Sequence, residues 1–221
     1  MIERTWSWLT GQKHSLYGLA VTRIMLGFII STQLMANFPD RHYTWGDGAI
    51  WTDSVRSGKD WPGFLYVMFV RSGGHVFDAV YIATIVVGLL LMVGFYTRAS
   101  TVMALFLWVS LYVSNPFVGS GGDAVLRMVL LYMCFVDAGR HWSVDERLSR
   151  RRGKIIRRTP AWLSATIHNA ALVLIIHQVV MVYVGSAFWK VQSPLWMGGT
   201  AVYYPLQTEA YSPWLDYIHL L

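Results

Sequence analysis

The chain has 221 residues, of which 55% are hydrophobic and only 14% charged, with a formal net charge of +6. That composition excludes an ordinary soluble domain and a disordered chain, and it points to one polytopic membrane unit. A single cysteine, Cys134, excludes an intramolecular disulfide, and no clustered Cys/His zinc spacing, Gly-rich phosphate loop or Gly-x-Ser-x-Gly elbow is present.

In chain order, Met1 to Ser15 is too polar to span. Ile2, Trp6 and Leu9 recur at helical spacing with Arg4 and Lys13 nearby, so residues 1–15 read as a short interfacial helix. The first span is expected from Leu16 to Phe38, with no small-residue cleavage pattern after it. It carries Arg23, a charge that must face the bundle or reach the near interface. Residues 39–74 form a long Gly- and Trp-containing connection, punctuated by Trp45-Gly46-Asp47-Gly48, and read as a folded cap.

A second span from His75 to Tyr96 and a third from Ser100 to Asn115 should make an antiparallel hairpin. After the turn at Ser114 to Gly122, a short fourth span is expected from Asp123 to Ala138. Asp123 and Arg127 then lie one helical turn apart on one side of it, as functional groups or as a salt bridge.

Residues 140–158 carry eight basic residues against Asp145 and Glu146, which accounts for the whole charge surplus. A short basic loop between spans marks the cytoplasmic side and invites contact with anionic headgroups; nucleic acid is not the expected partner. A fifth span follows from Ala161 to Trp189, inside a run of about thirty residues free of charged side chains, against the ~20 that a crossing needs. Its His168 and His177 fall on opposite helix faces and make no joint metal site. Lys190 sits at the far boundary among interfacial aromatics, where a snorkelling lysine is the plain alternative to a catalytic one.

The expected fold is therefore an all-α membrane bundle of about five spans, with an interfacial helix before them and a further helix beginning near Trp214. Alternation places the N-terminus and Arg98 inside, and gathers Asp47, Asp78, Asp123, Arg127 and Lys190 at the outer face of an inner (plasma) membrane.

The segment Phe135-Val136-Asp137-Ala138-Gly139-Arg140-His141-Trp142-Ser143-Val144-Asp145 resembles the vitamin K-dependent γ-carboxylases and their wider bacterial relatives, the horizontally transferred transmembrane domain family. Arg23 to Gly27, Gly121-Gly122-Asp123 leading to Arg127, and Tyr183 to Lys190 followed by Trp196 and Gly199 agree with it. The resemblance implies that Lys190 matches the family's deprotonating lysine and that a reduced quinone such as vitamin K is the cofactor. It also implies a cavity lined by Asp47, Tyr183, Trp196 and Arg23. The histidine that the carboxylases use falls on Asp123 here, which argues against glutamate carboxylation itself. The chain also stops at Leu221 as a helix begins, as a fragment or shortened member would.

Two readings stay open. In one, the chain modifies or matures a secreted peptide at the outer face, with Lys190 as base and Asp123 and Arg127 placing charge. In the other, it is a non-catalytic membrane partner or export factor for such a peptide or for another membrane subunit. A transporter is disfavoured because no repeat with broken paired spans is visible.

Overall fold

The computed structural model describes residues 2–46, 74–115, 118–152 and 160–206. Asp47 and most of the expected cap, the end of the basic loop and the segment from Trp214 lie outside the described residues. Most of those described are helical, with no strand among them.

The order is α1 (Ile2–Thr10), α2 (Leu16–Ala36), a one-turn α3 (Arg41–Thr44), α4 (Gly74–Val93), α5 (Thr97–Ser114) and α6 (Gly121–Met133). A 3-10 turn (Ala138–Arg140), α7 (Val144–Arg152), α8 (Ala161–Gln192), α9 (Pro194–Met197) and α10 (Tyr203–Leu206) follow. The sequence-based helix positions hold, with ends moved by a few residues. Three helices, α2, α4 and α8, are long and apolar enough to cross a membrane. α6 is shorter than its expected span: its 13 residues reach about 20 Å at ~1.5 Å per residue, against a hydrocarbon core of ~30 Å.

The chain divides into two compact units, Met1–Ile176 and His177–Leu221. In the first, the buried residues of α2 (Leu19, Arg23, Leu26, Gly27, Ile30 and Leu34) recur every three or four positions and make one stripe. That stripe packs on α4, which in turn packs on α5, and α5 on α6. Burial of apolar groups drives such packing weakly in lipid, so close backbone approach has to supply the fit. Gly27 and Gly88 supply it. A β-carbon at Gly27 would lie 2.5 Å from the Gly88 carbonyl oxygen and 2.5 Å from the Met92 nitrogen. Alongside, the Tyr81 hydroxyl donates to the Leu34 carbonyl at 2.8 Å.

α4 ends in a Schellman motif. Gly94 takes φ +72°, Phe95 N donates to Leu90 O at 3.0 Å and Gly94 N to Leu91 O at 3.2 Å. The turn Gly94–Tyr96 then reverses the chain into α5, as the expected hairpin requires.

The second unit holds the far half of α8 with α9 and α10. Only 11% of the most apolar window of α8 is buried, against 44% for α2 and 39% for α4. Among the described residues, most of that α8 window is exposed.

Candidate functional site

One end of the first unit is a knot of polar groups built around the Phe135 to Asp145 segment. Arg23 is fully buried and donates to Leu91 O at 2.8 Å, Met92 O at 3.0 Å and Trp142 O at 2.7 Å. It thus sits at the C-terminus of α4, where a cation meets the negative end of the helix dipole. Its Nε is buried without a partner.

Asp145 serves α5 from 48 residues away: its carboxylate accepts from Tyr96 N at 2.8 Å, and from Thr97 N and Thr97 Oγ1 at 2.7 Å each. It is the N-cap that α5 lacks locally. Ser143 caps α7, donating to Gly139 O at 2.5 Å and accepting from Glu146 N at 2.9 Å. Gly139 has no room for a side chain, because its β-carbon would meet Thr97 Oγ1 at 2.6 Å.

Asp137, beyond the end of α6, pairs with Lys13 and with Arg98, the latter at 2.6 Å. Burial alone would push its carboxyl up, but the hydrogen bonds from Lys13 and Arg98 outweigh burial and hold it at about 2, below its ordinary 3.8. His168 accepts from Asp137 N at 3.0 Å through Nδ1 and meets His14 O at 2.9 Å through Nε2. The first contact leaves Nε2 as the protonated nitrogen, so this histidine is a neutral strut. Asn169 donates to Trp8 O, Leu9 O and Gln12 O at 3.2, 2.9 and 2.8 Å. α1 is thereby tied to α8.

The other end of this unit is different in kind. A small pocket, with a cavity volume of ≈ 20 Å³, is lined by Gln33, Trp45, Trp108, Tyr112, Asn115, Asp123 and neighbouring apolar groups. Gln33 lies ten residues along α2 from Arg23, about 15 Å at ~1.5 Å per residue, so Arg23 does not line this pocket. Asn115 donates to Thr44 O at 2.6 Å and fixes the chain entering Trp45.

Asp123 forms a capping box with Ser120: its Oδ2 accepts from Ser120 N at 2.6 Å and from Ser120 Oγ at 2.9 Å, while Asp123 N donates to Ser120 Oγ at 3.3 Å. Among the described residues its Oδ1 has no donor. Asp123 and Arg127 share a helix face, yet no ion pair joins them. Instead the Arg127 guanidinium lies 3.7 Å from the Tyr112 ring centroid, with its Nε buried and unpartnered. The indole N–H of Trp108, 4% exposed, is likewise unpartnered.

In the second unit, Lys190 is exposed and its Nζ stands 4.3 Å from the Trp196 ring centroid. The contact attracts the ammonium to the ring face. Tyr183 is 72% exposed. No group of three or more His, Cys, Asp or Glu that could hold a metal occurs among the described residues.

Sequence reasoning named Asp123 but missed Trp108, Tyr112 and Asn115, which lie in what read as a plain hairpin span. Ser120-Gly-Gly-Asp123 was the available signal, a capping pattern just before an apolar run. No curated protein and no solved structure matches the chain. The family model described as HTTM domain matches residues 12–219. With three helices long and apolar enough to cross a bilayer among the described residues and a match over nearly its whole length, the chain belongs to the HTTM domain family of membrane proteins.

Proposed function

We propose that this membrane protein works at the extracytoplasmic face of a bacterial inner membrane on a secreted peptide. In this reading the polar knot, with Lys13, Arg98 and the basic loop, faces the cytoplasm, following the positive-inside rule. The chain then crosses five times, α5 and α6 included, and the Asp123 pocket opens outward. Asp123 and Arg127 place charge for the substrate, and Lys190, in its neutral amine form, is the general base that takes a proton onto Nζ. The observation that carries the reading is the Asp123 carboxylate, one oxygen of which has no donor among the described residues, lining a pocket at the end away from the cluster of Lys13, Asp137 and Arg98. A carboxylase-like reaction and a reduced quinone enter through the resemblance, and the proposed placement of charge needs neither.

The test is a mass comparison of secreted peptides from cells with and without the protein. A modification absent from the deletion strain, restored by the wild type and not by Lys190→Ala, supports the base. Full restoration by a normally inserted Lys190→Ala protein removes it.

A second reading is favoured by the contact between Lys190 and Trp196 and by the bare surface of α8. Here the lysine is structural, and α8 docks another membrane subunit. A partner that co-purifies with wild type and with Lys190→Ala alike, and is lost when exposed α8 residues such as Val180 and Val184 are replaced by polar ones, supports it.

A further inference from the structure

We infer that the pocket beside Asp123 seats one bound water, which accepts a hydrogen bond from the Trp108 indole and ties α5 to α2 and α6. The inference holds under either functional reading, because it concerns how these helices are joined.

The indole carries it. Trp108 is 4% exposed and lines the pocket, yet its Nε1–H has no acceptor among the described residues. An indole nitrogen can only donate, and a donor buried without an acceptor keeps its whole desolvation cost. An oxygen at this position removes that cost. The space decides how large the acceptor is. Its cavity volume of ≈ 20 Å³ suits one water, which needs about 10–15 Å³, whereas a pocket for an organic ligand has about 300 Å³ or more.

The other lining groups decide its chemistry. Asn115 is engaged with Thr44 O at 2.6 Å, and Asp123 Oδ2 accepts from Ser120 N and Ser120 Oγ. The Asp123 carboxylate and the Gln33 amide oxygen are side-chain acceptors on the same lining. A chloride ion would accept from the indole but meet the like charge of the carboxylate. An ammonium could not accept from the indole at all. A water accepts from Nε1–H and donates its two hydrogens toward Asp123 and Gln33, which makes the three bonds usual for a buried water. Gln33, Trp108 and Asp123 stand on α2, α5 and α6, so one molecule joins three helices.

The full chain, isotope-labelled at tryptophan, is purified in a deuterated detergent without hydroxyl groups, and magnetisation transfer from water to the indole protons is measured by nuclear magnetic resonance. The indole resonance lost in Trp108→Phe is that of Trp108. The expected result is a cross-peak at the water frequency with opposite signs in laboratory-frame and rotating-frame transfer, the mark of a water that tumbles with the protein. Gln33→Leu removes one acceptor of the water, and should weaken the peak and move the indole proton upfield.

Equal signs, which report proton exchange with bulk solvent, overturn the inference, and so does transfer from detergent or lipid protons in place of water. An unchanged peak in Gln33→Leu overturns the tie to α2. Trp108→Tyr serves for the assignment should Trp108→Phe fail to fold, and the absence of any peak with opposite signs among all 11 indoles overturns the inference with no variant.

Discussion

The guanidinium of Arg23 occupies the space that a β-carbon at position 94 would need. The charge buried in α2 and the glycine that ends α4 are two halves of one fit. Gly94 supplies the left-handed φ of +72° that turns the last carbonyls of α4 toward Arg23, and its missing side chain leaves the guanidinium room. Gly94→Ala should therefore cost about 2 kcal/mol or more, from backbone strain and the collision together. Unfolding in mixed detergent micelles, followed by circular dichroism, checks this.

Removing the other half should cost more. Arg23→Met leaves the carbonyls of Leu91, Met92 and Trp142 without the donor that joins them, a loss of ~3 kcal/mol for a buried charged donor. Arg23→Lys should recover only part, since an ammonium cannot fork to three carbonyls on two segments. The same unfolding assay ranks the two variants.

Asp145→Ala removes the side-chain cap of α5 and should destabilise by about 1 to 2 kcal/mol. Amide exchange in the first turn of α5, at Thr97 to Ser100, should rise first. An increase spread evenly over all helices would contradict the local role.

Asp137 makes stability depend on acid. Its folded value of about 2 lies below its ordinary 3.8, so its contribution is fully present above the ordinary value and is lost as pH falls through about 2. The linkage is of order 2 kcal/mol. Asp137→Asn should be less stable than wild type at pH 7, because Lys13 is left buried without its counter-ion. The variant should also show a flatter decline below pH 4. A wild-type acid limb that survives the substitution would assign it to other carboxylates.

Gly27→Leu should separate α2 from α4, because the obstructing atoms are backbone atoms of Gly88 and Met92, which cannot rotate away. A cost of roughly 2 kcal/mol is expected from overpacking alone, and cysteine cross-linking between the two helices should slow in proportion.

The helices were legible because each long apolar run reports itself locally: α2 was expected from Leu16 to Phe38 and runs to Ala36, and α4 from His75 to Tyr96 and runs to Val93. The shortness of α6 was visible as well, since Asp123 and Asp137 bracket it. The roles within Phe135 to Asp145 were not. Asp145 caps a helix 48 residues upstream and Asp137 pairs with Lys13 at a separation of 124, and neither pairing leaves a periodic trace. The segment that carries the family resemblance is, in this fold, a set of struts. Asp123 was legible as an ionisable group near a span, but its freedom from Arg127 was not, because sharing a helix face says nothing of a tyrosine on the neighbouring helix that takes the guanidinium first. Asp47 lies outside the described residues.

The central claim is that the Asp123 pocket and Lys190 both open outward while the polar knot faces inward. Single cysteines at positions 121, 190 and 147 in a Cys134→Ser background test it most directly, with a membrane-impermeant thiol reagent applied to spheroplasts and to opened vesicles. Gly121 has open space around its missing side chain, and Lys190 and Arg147 are exposed, so none of the three should disturb packing. The account predicts labelling of 121 and 190 in spheroplasts and of 147 only after opening. Labelling of 121 and 190 from opposite sides, or of 121 only after opening, would contradict it.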